Sequence, residues 1–390
     1  MTFPPHYLHV YQRPKVGSAF VARYSCFNYQ HTITNRGWYD TASCDISVRS
    51  DAEGQKILSQ YLGCFVAIYV DNPAVPIWEG LINRITLNSG GSSYTISLDE
   101  MANRVSVVYT GAANAAAQTT VVDNTTSQAI YGIKQEQIEI GADNSAASLR
   151  TVLGNTILAQ RAFPQASVSQ AQGDTNIVHL EMIGIYHTIE WAKFFTVLAT
   201  ATVDFGSNVG AVVGIDPNGT TFYNNADTTK ISANAETVVT QVRGVSYWER
   251  ILKIAEAGDG SNYWVIGMNP TDPTLRTRSL FYRVANTAIE YTARKSDNLR
   301  PRTLYGRIVP PWWVRPDRGI RVTDALVGLN GSILTDPSSV YIQSVQYDAN
   351  SQMAQWFGAD DTTARAAFLL NRGFKPLTES FGAPLRIIVT

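Results

Sequence analysis

Five histidines, His6, His9, His31, His179 and His187, are the first residues to test for chemistry. A zinc site or a metalloprotease needs imidazoles at a fixed spacing with a carboxylate close by. The sequence has no His-Glu-x-x-His run and no histidine paired with a carboxylate at metal spacing, so structural roles are expected. Asp99-Glu100 and Asp360-Asp361 are adjacent carboxylates. Neighbours on a strand point to opposite faces, so neither pair reads as an acid/base dyad across a cleft. No Gly-x-Ser-x-Gly elbow and no phosphate loop occurs. Gly258-Asp259-Gly260 lacks the alternating acidic ligands of a calcium loop and reads as a helix-ending turn. Cys26, Cys44 and Cys64 are odd in number and have no Cys-x-x-Cys, which argues against a disulfide framework and a zinc site. Buried free thiols are expected instead, as suits synthesis in a reducing cytoplasm. Together these absences predict a protein that is not an enzyme, with no catalytic, metal or cofactor-binding residues and no cofactor.

One stretch offers chemistry of another kind. Arg294, Lys295, Arg300, Arg302, Arg307, Arg315, Arg318 and Arg321 are opposed only by Asp297 and Asp317. Val-Pro-Pro-Trp-Trp-Val at 309–314 lies among them. Basic residues with aromatics can hold single-stranded nucleic acid by charge and stacking. Arg and Trp are also the anchors enriched in protein interfaces. A solvated face over local core is the third reading. Arg outnumbers Lys here, which favours fixed bidentate contacts with carboxylates. The expectation is a protein interface anchored by Trp312, Trp313, Arg307, Arg315 and Arg318.

The elements that would position such residues are mainly strands. The chain has 390 residues, enough for two or three domains, and 45% are hydrophobic, enough for real cores. Only 16% are charged, against roughly a quarter in ordinary domains, a composition that fits an assembly subunit better than a metabolic enzyme. The formal net charge of −1 favours neither nucleic acid nor an acidic membrane. No run approaches a membrane span, and MTFPPHYLHVYQRP does not read as a signal peptide.

Between residues 61 and 109, CFVAIYV, IWEGLINRITL, SYTISL and RVSVVY read as three or four antiparallel strands with short connections. Asn88-Ser89-Gly90-Gly91 is a hairpin signal, because glycine supplies positive φ. SAFVARYSC and SCDISVR are earlier strands. Residues 112–128 are polar and small and read as a linker, and SQAIYGIKQEQIEI as a strand or extended arm. A helix is predicted over 145–161, with Leu149, Val152, Leu153, Thr156, Ile157 and Gln160 on its apolar face. NIVHLEMIGIYHTIE at 176–190 reads as strand, bend at Gly184, strand. Residues 195–300 hold a Gly-Ser-Asn-Val-Gly loop, a helix over 247–256 ended by Gly258, and strands YWVIGM and RSLFYRV. This part reads as an α+β insert beside the 145–161 helix. GIRVTDALVG and SSVYIQSVQYD flank Asn330-Gly331 as strands, and Thr362–Asn371 reads as a short helix before the extended end LRIIVT.

The order of Leu62-Gly63, Trp78-Glu79-Gly80, Ser97-Leu98 and Asn103-Arg104-Val105, with the glycine-aromatic corner Arg36-Gly37-Trp38-Tyr39, resembles the first barrel of bacteriophage tail hub (baseplate hub) proteins. Tyr131-Gly132, the helix after it and Pro164, and then the strand, glycine and Trp191 of 176–191, are also similar to that family. The resemblance implies an α+β, mainly β fold of two tail-tube-like antiparallel β-barrels with an inserted α+β domain. It implies a first barrel at 1–111, a helix-containing connector at 112–170, a discontinuous second barrel at 171–194 plus 301–347, the insert at 195–300 and an extension at 348–390. It further implies a homotrimeric virion protein at the tail tip, assembled in the host cytoplasm. Its partners would be a tail tube or distal tail protein above and a tip, spike or fibre protein below, with tape measure protein or genome in the lumen. A distal tail or receptor-binding protein and a tail-associated cell-wall hydrolase are the alternatives.

Overall fold

Alternation of buried and open side chains makes β1 (His6–Tyr11), β2 (Phe20–Thr34) and β3 (Arg36–Ser47) one-sided strands. β4 (Phe65–Val70) is buried on both faces. β5 (Trp78–Ser89) and β6 (Ser92–Ser97) form the expected hairpin, with Gly90 at φ +58° and Gly91 at φ +79°. Two successive positive φ values match the twist of a two-residue hairpin, and both positions are glycine. The computed structural model describes residues 4–13, 19–70, 75–111, 115–142, 147–170, 176–194, 205–233, 244–258, 264–268, 278–284, 290–293, 303–304, 311–316, 319–322, 326–327, 333–334 and 340–359.

Next along the chain come α1 (Asp51–Gln60), β7 (Arg104–Gly111), β8 (Ala115–Asp123), α2 (Thr125–Tyr131), β9 (Gln135–Ala142), α3 (Ala147–Arg161), β10 (Gln165–Gln170) and β11 (Ile177–Ile183). β1, β2, β3, β11, β5 and β4 pair in that order, and β4 returns to β1, closing a six-stranded antiparallel barrel. Leu8, Tyr29, Cys44, Ile68, Trp78 and Leu180 are among the residues filling it. β11, expected in a second barrel, is thus a stave of this one, between β3 and β5. β7, expected as a barrel strand, instead lies between β8 and β9 in a separate three-stranded sheet. The supposed linker supplies β8 and α2, and the helix replaces the first half of the expected arm.

α3 covers that small sheet, but not with the expected face. Arg150, Gly154 and Leu158 turn inward, while Leu149 and Val152 are exposed. Gly154 decides the rotation: a Cβ there would lie 2.7 Å from Val122 Cγ2, so the helix approaches where its side chain is missing.

The rest of the described chain is α4 (His187–Glu190), β12 (Lys193–Phe194), α5 (Phe205–Gly214), α6 (Gly219–Phe222), β13 (Val245–Ser246), α7 (Tyr247–Gly258), β14 (Trp264–Met268), β15 (Leu280–Val284), β16 (Glu290–Ala293), β17 (Thr303–Leu304), β18 (Gly319–Val322), β19 (Leu326–Val327), β20 (Ile333–Leu334), β21 (Val340–Asp348) and β22 (Met353–Ala359). α4 stands where a second strand was expected after Gly184, and α5 where a loop was. Val209, Val213, Phe222, Trp248 and Ile251 form a second core that reaches Phe65, Ala67 and Leu81 on the outer wall of the barrel. α7 packs on α5 and α4, not on α3 as expected. The expected helix at 362–371 and the end LRIIVT lie outside the described residues.

Candidate assembly surface

A longer array runs through the barrel. β10, β6, β5, β11, β3, β2, β21 and β22 pair in that order, antiparallel at every step. The face turned away from the core carries cross-strand rows. One runs Gln165, Ser97, Arg84, Glu181, Ser43, Gln30 and Asp348. The next runs Ser167, Thr95, Thr86, His179, Asp45 and Phe27. Several charges on this face are matched within it. Arg84 lies 2.6 Å from Asp99 and 3.3 Å from Glu181, and His179 Nδ1 lies 2.6 Å from Asp45 Oδ1. An open groove of about 590 Å³ crosses it, lined by Gln30, Thr32, Thr41, Ser43, Glu181 and Gln346 among others. Such a surface offers hydroxyls and amides with little unmatched charge.

Among the described residues its two ends are bare. Among the described residues β10 pairs only with β6, and β22 only with β21. All six β10 side chains are exposed, and QASVSQ contains no charge and no proline to blunt the edge. Seven antiparallel steps separate the ends, so β10 and β22 run in opposite directions.

The residues expected at an interface are only partly placed. Trp312 and Trp313, in a 3-10 turn, are half-buried against the barrel core, and Trp312 meets Tyr347 edge-on at 6.2 Å. Arg315 is buried and donates to the carbonyls of Trp312, Val314 and Ile77 at 3.1, 3.2 and 3.1 Å, where carboxylates were expected. Its guanidinium also lies 5.1 Å from the Trp313 ring centre. Arg307 and Arg318 lie outside the described residues.

The histidines have structural partners. His6 Nε2 and Tyr347 Oη are 3.1 Å apart, and His31 Nδ1 and Tyr29 Oη 2.8 Å. Burial, with Arg315 and His6 nearby, holds the His31 pKa well below its ordinary value. His187 places Nε2 3.0 Å from Asp40 Oδ1 and Nδ1 2.7 Å from Glu190 Oε2. Burial alone would lower its pKa, but the two carboxylates outweigh it and raise the value to about 9. Tyr186 also donates to Asp40, at 2.6 Å. The three cysteines are buried and free, and burial pushes Cys64 up to about 11. Among the described residues no cluster of three potential ligands could hold a metal.

The sequence reading missed the groups that join the parts. Buried Asn103 donates to Gly132 O at 2.7 Å and accepts from Lys134 N at 2.8 Å, steering the chain out of the barrel into the small sheet. Buried Asn218 accepts from Ile133 N at 2.8 Å and donates to Ile133 O at 2.8 Å and Thr188 O at 2.9 Å. Arg278 Nε donates to Glu79 at 2.6 Å in a fully buried ion pair. Asn103 and Glu79 stand inside the Asn-Arg-Val and Trp-Glu-Gly motifs, but neither motif names the partner. No protein-family model matches this chain, and no curated protein matches it.

Proposed function

We propose that this chain is a structural protein of a tailed bacteriophage virion, a tail hub that joins the tail tube to the tail tip and lines part of the genome-ejection channel. The observation that carries the reading is the eight-stranded antiparallel sheet with a polar outer face and two bare edges of opposite direction. Such a sheet can be continued from copy to copy around an axis, with the polar face toward the lumen. Paired charges and neutral hydroxyls would let a polyanion pass without holding it. On this reading the protein is a homotrimer between a tube or distal tail protein and a spike or fibre, and it works without catalysis or cofactor. The second tail-tube-like barrel would be built from 301–347, without β11, and 195–300 would be the insert. The order of motifs from Arg36 to Val105 adds to the support.

Locating the chain in images of an assembled tail tests this. Three copies around the tip axis are expected. Six copies would assign it to the distal tail or tube, and its absence from the tail would refute the proposal.

A further inference from the structure

Among the described residues one largely apolar stripe is free of charge and exposed. On α3 and just beyond it, Leu149, Val152, Thr156, Ala159 and Phe163 follow one another at steps of three and four, which places them along one stripe. All five are exposed, Leu149 by 58%, Val152 by 57% and Phe163 by 41%. The two charged residues of α3 are engaged elsewhere. Arg150 Nε lies 3.4 Å from Thr120 Oγ1, and Arg161 donates to Glu100 O at 2.7 Å and forms an ion pair with Glu136 at 2.5 Å. Phe163-Pro164 leads directly into β10, where Val168 is 65% exposed and pairs across the strands with Tyr94, 37% exposed. Scattered exposed apolar residues need no explanation, but a charge-free row that ends in a strand with, among the described residues, one open edge does.

We propose that this stripe and the β10 edge dock on the β22 edge of a second copy of the chain, beside its Trp312 and Trp313. The inference deepens the hub reading and rests on it for the ring. Three observations choose the occupant. β22 is, among the described residues, the other open edge of the same sheet, and its direction suits antiparallel pairing with β10. The lengths agree, six residues against seven, or about 20 and 23 Å at 3.3 Å per residue. The 3-10 turn bearing the half-buried tryptophans lies against β22, so apolar surface is present on both sides. The contact is head-to-tail, so it propagates into a ring rather than stopping at a dimer.

Two measurements on the full chain test it. A photo-crosslinking residue placed at Val152 or Val168 should capture residues 311–316 or 353–359 of another copy. The double change Leu149→Asp/Val152→Asp should leave the circular dichroism spectrum and melting temperature unchanged, because both side chains are more than half exposed. It should weaken self-association, read by sedimentation, roughly tenfold or more. Crosslinks that fall on α3 or β10 of the other copy would mean a two-fold dimer and overturn the proposal. So would undiminished association of the double variant, or a wild-type chain that stays monomeric at its highest soluble concentration. A chain that associates in this way yet is missing from a tail tip would sink the hub reading and leave this contact standing.

Discussion

Raising the pH should weaken the junction between the barrel and its helical unit, and His187 sets the size of the effect. The imidazole bridges Asp40 on β3 and Glu190 on α4, and Tyr186 donates to the same Asp40. Both ring nitrogens face carboxylates, which fixes the charged form. The rise from 6.5 to about 9 corresponds to about 3 kcal/mol at 1.36 kcal/mol per pKa unit. Because the folded value lies above the unfolded one, the proton is held more tightly in the folded state. The stabilisation is complete below pH 6.5, declines between 6.5 and 9, and is gone above 9. Other groups titrate nearby. Burial pushes Lys134 down to about 8, so its cost to folding is relieved as pH rises from 8 toward 10.5, the opposite trend. The useful quantity is therefore the difference between wild type and His187→Gln in urea unfolding, followed across this range. That difference should be about 3 kcal/mol below pH 6.5 and shrink toward zero above pH 9. A difference that stays constant with pH, or an NMR titration of His187 at or below 6.5, would refute the bridged-imidazolium argument.

Two further substitutions probe the joints between parts. Asn218→Ala leaves the N–H and C=O of Ile133 and the C=O of Thr188 without their buried partner. At about 1–3 kcal/mol for each unpaired group, a loss of at least about 3 kcal/mol is expected in denaturant unfolding, and a loss below 1 kcal/mol would show that water or a local shift replaces the amide. Glu79→Gln removes the countercharge of Arg278 in a site where both side chains are almost fully buried. Breaking such a pair costs about 3–5 kcal/mol, so the variant should melt well below wild type, whereas an unchanged melting temperature would mean the guanidinium finds another acceptor.

What the sequence made legible was local. The Gly90-Gly91 hairpin and the strand runs of β4 to β6 each depend on a few consecutive residues. The capping box of α1 was also local, with Glu53 N 3.3 Å from Ser50 Oγ and Arg49 N 2.8 Å from Glu53 Oε2, yet it was overlooked because that helix buries only Gly54 and Ile57. α5 was illegible for a different reason: FGSNVGAVVG has the composition of a loop, and the helix is held by Val209, Val212 and Val213 in the second core. The failure with β11 is of a third kind. Its alternation suits any two-sided sheet, and nothing within IVHLEMI names β3 and β5, far back along the chain, as neighbours. The same limit applies to the candidate surface. A pair of adjacent tryptophans announces that it must be covered, but a sequence cannot say whether its own core or another molecule covers it. Here half of the answer is the chain's own Tyr347 and Arg315. The edge strand is harder still, because being an edge is a property of topology. QASVSQ betrays itself only by what it lacks, the charge or proline that would discourage a partner, and that absence gains meaning only once β10 is seen at the end of the sheet with β22 at the other.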